Sequence, residues 1–272
     1  MAKARWTTRF DVLKIVAAVS ATALMALPWG AAAQAQTGDD AAKRQALLAA
    51  YPGLFAFDGN AIVWDDGTRM TWDDGAVRSP AELIADPDIE DMFAYAYPLA
   101  AAGDLAPQPD SDPGRIRNEA FFKQLYGGSA GAVESQLTTL DWAGSDTLRV
   151  TTALGVAERL EAVAAELEAL GPAYQKYLVA PGGGFSWRTI AGTSQLSVHA
   201  FGAAVDTNTD HADYWRWTEA VNGGPVAFKN RIPLQIVAIF EKYGFIWGGR
   251  WYHYDTMHFE FRPELLNHAQ MR

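Results

Sequence analysis

Ser197-Val198-His199-Ala200-Phe201-Gly202-Ala203-Ala204-Val205-Asp206 and, later in the chain, Trp251-Tyr252-His253-Tyr254-Asp255-Thr256-Met257-His258-Phe259-Glu260 decide how this sequence is read. Leu196–Asp206 and Phe245–Phe261 carry the aromatic and β-branched residues that favour strands, with Gly at the bends. Each stretch also gathers histidine and carboxylate within a few positions. His199 and Asp206 are seven apart, so on one regular strand they would face opposite sides. They can meet only if the chain turns between them, and Gly202 is where a turn is easiest. Ala200, Ala203 and Ala204 leave room for close backbone approach.

A catalytic zinc takes three protein ligands and keeps one position for water. His199, Asp206 and His258 can supply two imidazoles and a carboxylate. Asp255, three residues before His258, is either a further ligand or the general base for an activated water. The base role is preferred, because Asp206 already provides a carboxylate. Glu260 falls on the same side of a strand as His258 and suits second-nitrogen orientation of a metal-bound histidine. A lone histidine in an aromatic strand is more often a satisfied core residue; two motifs together weigh against that. His253 is a rival ligand, but its odd spacing from His258 turns it to the other face of a regular strand. His211 and His268 lie in polar surroundings and are expected to be solvated.

Composition narrows the choice of chemistry. The chain has 272 residues, 49% hydrophobic and 20% charged, which is globular. A net charge of −10 argues against a broad electrostatic grip on nucleic acid. The absence of cysteine removes disulfides, iron–sulfur clusters and thiolate zinc sites. Any metal must therefore be held by nitrogen and oxygen, and only five histidines are available.

The first 35 residues read as an address. Lys3, Arg5, Arg9 and Lys14 precede an apolar run from Ile15 to Leu27, and Ala31-Ala32-Ala33-Gln34-Ala35 offers cleavage after Ala33 or Ala35. A membrane anchor is the other reading, but a span needs about 20 apolar residues. Loss of this segment removes those four cations and Asp11, so −10 becomes −13. The expected product is exported, periplasmic or extracellular, with no stable membrane span.

Residues 36–110 are expected to form an N-terminal extension containing a β-hairpin, and 111–272 the catalytic domain. The hairpin signal is Asp65-Asp66-Gly67-Thr68 between Ala61–Trp64 and Arg69–Trp72. Trp-Asp-Asp-Gly recurs at Trp72–Gly75; a calcium loop is conceivable, but no EF-hand spacing follows and turns are expected. Asp104–Arg115 is proline-rich and reads as a loop or boundary. Leu154, Leu160, Val163, Leu167 and Leu170 predict a helix over Thr152–Leu170, and Pro233–Tyr243 predicts another, capped by Gly244. Helices and strands without strict alternation predict an α+β fold.

The pattern Ser-x-His-x2-Gly-x-Ala-x-Asp, followed by an acid, two spacers and His, resembles the zinc peptidases of the D-alanyl-D-alanine carboxypeptidase family. That family includes VanY- and VanX-type D,D-peptidases and phage L-alanyl-D-glutamate endopeptidases. Ser197, His199, Gly202, Ala204 and Asp206 match the first motif, and His258-Phe259-Glu260 the second. The likeness covers about residues 180–262. It implies one Zn2+ bound by His199, Asp206 and His258, a catalytic carboxylate at Asp255, and a hedgehog-like antiparallel sheet carrying the ligands with helices packed on it. It also implies an arginine upstream of the first motif that steadies an oxyanion or a substrate carboxylate. Arg188, in Phe185-Ser186-Trp187-Arg188, is the candidate; a surface salt bridge is its plainer reading. Gly182-Gly183-Gly184 is expected to be a mobile lip over the cleft. Ser197, Trp251 and Tyr252 are expected to contact substrate, a peptidoglycan stem peptide. Three functions follow from the likeness: a D-alanyl-D-alanine carboxypeptidase-like enzyme, which is preferred, an L-alanyl-D-glutamate-type endopeptidase, or a non-catalytic wall-binding module that keeps zinc for stability.

Overall fold

The computed structural model describes residues 29–103, 106–144, 146–190, 192–217 and 226–272, with side chains from Asp39 onward. The targeting segment expected at 1–35 lies, for residues 1–28, outside the described residues. Met1–Gly38 and Asp39–Arg272 group as separate units. Among the described residues no helix is long and apolar enough to cross a membrane.

Helix α1 (Trp29–Ala50) leads into an antiparallel meander of β1 (Phe55–Asp58), β2 (Ala61–Trp64) and β3 (Arg69–Thr71). The β2–β3 turn is Asp65-Asp66-Gly67-Thr68, as expected, with Ala61 opposite Thr71. Asp66 accepts from the Thr68 amide at 2.8 Å. In the second Trp-Asp-Asp-Gly the carboxylates of Asp73 and Asp74 accept from the amides of Gly75 and Ala76, and Arg78 pairs with Asp74. Both repeats are turns closed by their own side chains.

Helices α2 (Pro80–Ala85), α3 (Glu119–Tyr126) and α4 (Ala130–Glu134) follow, then the hairpin of β4 (Leu137–Trp142) and β5 (Asp146–Thr151). Next come α5 (Val156–Ala169), α6 (Gln175–Leu178), β6 (Pro181–Gly183), β7 (Ala204–Asn208), α7 (Leu234–Lys242), β8 (Phe245–Trp247), β9 (His258–Phe261) and α8 (Pro263–Met271). Strands β6, β7, β9 and β8 form, in that order, a four-stranded antiparallel sheet. The mixed α+β expectation holds.

The apolar stripe of α5 buries Leu160, Val163 and Leu167, as its spacing predicts. The helix starts later than expected, because Leu154 and Gly155 adopt left-handed backbone and break the first turn. Phe240 of α7 stacks on Phe259 of β9, with ring centres 3.8 Å apart. One hydrophobic cluster takes in Ala46 and Leu47 of α1 and Tyr51 just after it, Phe121 and Phe122 of α3, and Leu265 and Leu266 of α8.

The stretch Leu196–Asp206 is not one strand. Val198–Phe201 is a single 3-10 turn, begun by Ser197, whose hydroxyl accepts from the His199 amide, and ended by Gly202 at φ +66°. Gly202 is packed as well as turned: a Cβ there would lie 2.9 Å from the Thr151 amide nitrogen and 2.8 Å from Leu137 Cδ2. The Gly202 carbonyl in turn accepts from that amide at 3.0 Å. Gly182–Gly184, expected as a mobile lip, is packed instead. Pro181–Gly183 pairs with β7, and a Cβ on Gly184 would lie 2.4 Å from the Arg149 carbonyl oxygen.

Gly202→Ala therefore combines left-handed strain with a backbone clash. It is expected to cost about 2 kcal/mol, which for a unit of this size lowers Tm by about 4–8 °C. A calorimetric scan showing an unchanged Tm would contradict this packing.

Candidate metal centre

The 3-10 turn resolves the parity problem between His199 and Asp206. His199 leaves the strand path before β7 begins, so its ring can reach the face that Asp206 presents. Asp206 and His258 are direct partners across the β7–β9 pair, which puts their side chains on one face. A Cβ on Gly182 would lie 2.8 Å from Asp206 Cβ, so the neighbouring strand must be bare there.

Three atoms converge. His199 Nε2 lies 3.2 Å from His258 Nδ1 and 3.2 Å from Asp206 Oδ1, and His258 Nδ1 lies 3.0 Å from Asp206 Oδ1. The outer ring nitrogens are both engaged: His199 Nδ1 with the Gly184 carbonyl at 2.6 Å, His258 Nε2 with Glu260 Oε2 at 2.9 Å. With the outer nitrogens donating, the inner ones present lone pairs to each other and to a carboxylate. Such a triangle repels itself unless a proton or a cation sits inside it. The donor set and the carboxylate and carbonyl behind the rings fit a divalent metal of the zinc type.

Charge in the metal-free site follows from these contacts. Burial opposes a charge on His258, but Asp206 and Glu260 outweigh it and raise its pKa to about 9. Burial also works against the Asp206 carboxylate, yet His199 and His258 hold its pKa well below the usual range. Glu260 has no exposed surface; burial again opposes its charge, and Arg117, His258 and Arg262 bring its pKa down to about 2. Arg117 Nη1 donates to Glu260 at 3.1 Å and Arg262 Nη1 at 3.3 Å.

Asp255 stands apart from the triangle. Its amide donates to the Gly248 carbonyl at 3.0 Å, and its carbonyl accepts from the His258 amide at 3.2 Å. Its buried Oδ1 has no hydrogen-bond partner, and burial together with the Asp206 charge raises its pKa to about 6. It lines the same cleft, of about 320 Å³, as His199, Asp206 and His258.

The other expected site residues divide. Arg188 lines the cleft, is exposed, and its side chain has no partner among the described residues. Ser197 lines it too, while its hydroxyl caps the turn. Trp251 packs 5.4 Å from the His258 ring, whereas Tyr252 is not in the cleft wall and its hydroxyl accepts from the Val226 amide. His253 is kept from the triangle by Asp112, which accepts from its Nδ1 at 2.7 Å and its amide at 2.9 Å. His268 is not solvated as expected: it is 2% exposed, packed on Phe93 and 3.6 Å from Asp39. His211 packs against Tyr177.

Sequence reading missed Arg115, Arg117, Tyr214 and Trp217, all in the cleft wall. Arg115 and Arg117 lie in a loop before α3, where no periodic pattern marks them. Gly114 brings them in: at φ +101°, a Cβ there would lie 2.2 Å from Ile246 Cδ1.

Residues 191–261 match the family model described as D-alanyl-D-alanine carboxypeptidase, which bears out the resemblance drawn from the two motifs. The match spans His199, Asp206, Asp255 and His258, about a quarter of the chain, and is a likeness of this stretch to that family. No curated protein and no solved structure gives a significant match.

The proton on His258 gives a test without substrate. A histidine pKa raised from 6.5 to about 9 stabilises the fold fully below pH 6.5, and that contribution is lost as pH rises through about 9. With a chelator present, Tm is expected to fall between pH 6.5 and 9. Added zinc should raise Tm and flatten that slope, since the metal takes the proton's place. A slope identical with and without zinc would contradict the triangle as the metal centre.

Proposed function

We propose that this chain is an exported zinc metallopeptidase that hydrolyses peptidoglycan stem peptides, of the D-alanyl-D-alanine carboxypeptidase type. One observation carries the reading: three metal-ligating atoms converge within 3.2 Å while a buried carboxylate oxygen of Asp255, in the same cleft, is left without a partner. A structural zinc site is normally closed by four protein ligands. Here His253 is tied to Asp112 and the Asp255 oxygen is uncommitted, which favours a working centre over a non-catalytic module.

His199, Asp206 and His258 would hold the ion. When bound, zinc polarises a carbonyl and makes water acidic enough to lose its proton near neutral pH. Asp255 takes that proton as the water oxygen adds to the scissile carbonyl carbon. It then gives the proton to the amide nitrogen as the C–N bond breaks. A raised pKa suits both halves of that exchange, because a base near the working pH both accepts and returns a proton readily. Glu260 holds the His258 ring through Nε2, and Arg188, which lines the cleft, would steady the oxyanion or the peptide. The exported setting, periplasmic or extracellular, is supported by the basic, apolar and small-residue order of the first 35 residues, and it is where this substrate lies. The L-alanyl-D-glutamate endopeptidase reading differs only in the bond cut.

Purified protein incubated with stem peptides, with and without a chelator, tests the proposal, with mass spectrometry naming the product. The expected product is the peptide shortened by its terminal D-Ala, formed only with metal. Asp255→Ala is expected to lose about 10²–10⁴-fold in kcat while keeping zinc and its Tm, because the oxygen it removes has no protein partner. Cleavage by Asp255→Ala at the parent rate would overturn the mechanism.

A further inference from the structure

The matched family segment begins after Arg115, yet Arg115 enters the cleft. Its guanidinium lies 4.6 Å above the Trp251 ring, and its Nη2 donates to the His253 carbonyl at 2.7 Å. Those two contacts fix the plane. Nη1 has no partner among the described residues, and the buried Nε has none either. No described carboxylate forms an ion pair with it, although the uncommitted Asp255 lines the same cleft and feels its charge. The neighbouring Arg117 is different: it is buried and spent on Glu260 and the Gly114 carbonyl.

The chain carries ten excess negative charges, yet no described carboxylate pairs with this guanidinium, and its buried Nε has no partner. Asp206, Asp255 and Glu260 line the same cleft, yet none forms an ion pair with it. Gly114 sets the approach, Asp112 anchors His253, and His253 and Trp251 hold the arginine between them. A planar fork held in place is the usual receptor for a carboxylate.

We propose that Arg115 is a substrate-binding residue that takes the free C-terminal carboxylate of the peptide, and so makes the cleft select a chain end over an internal bond. The inference rests on the peptidase reading above and deepens it. It assigns Arg115 the carboxylate and leaves Arg188, on the exposed rim, to the oxyanion or the rest of the peptide.

The test compares two substrates that differ in one group: an N-acylated peptide ending in D-Ala-D-Ala as the free acid, and the same peptide as its C-terminal amide. In the zinc-loaded full chain, Arg115→Gln is expected to raise KM for the acid about 10- to 100-fold, with kcat little changed and the amide nearly unaffected. Arg115→Lys should recover part of the loss, and Arg188→Gln should leave the preference for the acid in place. Equal losses on acid and amide, or a preference erased by Arg188→Gln and kept by Arg115→Gln, overturns the assignment. Calorimetric binding of both peptides in an Asp255→Asn background separates this from the parent reading. Binding that prefers the acid and loses that preference with Arg115→Gln, in a parent that cleaves neither peptide, keeps the Arg115 assignment and sinks the peptidase. Cleavage of both with no preference at either step does the reverse.

Discussion

Glu260 has no exposed surface and sits directly behind the second histidine of the site. A buried carboxylate is costly unless it is paired and its oxygens are satisfied. The chain meets that demand from three directions. His258 donates from the same strand, Arg262 from the strand end, and Arg117 from the segment leading into α3. Arg262 also pairs with fully buried Glu264, which accepts from the hydroxyl of Tyr51, the residue after α1, at 2.7 Å. A run of ion pairs and hydrogen bonds thus joins Tyr51, just past α1, to the metal triangle. Loss of Glu260, the shared member, would take the carboxylate partner from Arg117 and from His258 Nε2 at once.

This network explains why the chain around Gly114 is so tightly fitted. The Gly114 carbonyl accepts from both Arg117 and Arg262, while its missing Cβ lets Ile246 close in. Once that turn is seated, Arg115 has little choice but to lie over Trp251 beside the cleft. The structural need to neutralise Glu260 and the presence of a free guanidinium at the site therefore share one cause. In the same cleft Oδ1 of Asp255 is buried without a partner, and burial with the Asp206 charge raises its pKa.

The site was legible in the sequence where chemistry and spacing coincide. His199, Asp206 and His258 converge because a short motif carries its own turn at Gly202, and the strand register does the rest. The α5 stripe and the Asp-Gly hairpin were legible because each is set by local rules of period and turn. What was not legible depends on partners far apart in the chain. Asp112 holding His253, Asp39 beside His268 and Arg117 under Glu260 join residues with no common motif. Gly182–Gly184 misled for a related reason: three glycines suggest freedom, but here the missing Cβ atoms make room for Asp206 and the Arg149 carbonyl.

The central claim is that two histidines and one carboxylate, and no third histidine, hold the ion. Zinc K-edge absorption spectroscopy on the zinc-loaded protein counts imidazoles directly. The account predicts two imidazole nitrogens with the remaining ligands oxygen, a spectrum unchanged in His253→Ala, and loss of one imidazole in His258→Ala. Three imidazoles in the parent, or a first coordination sphere altered by His253→Ala, would contradict it.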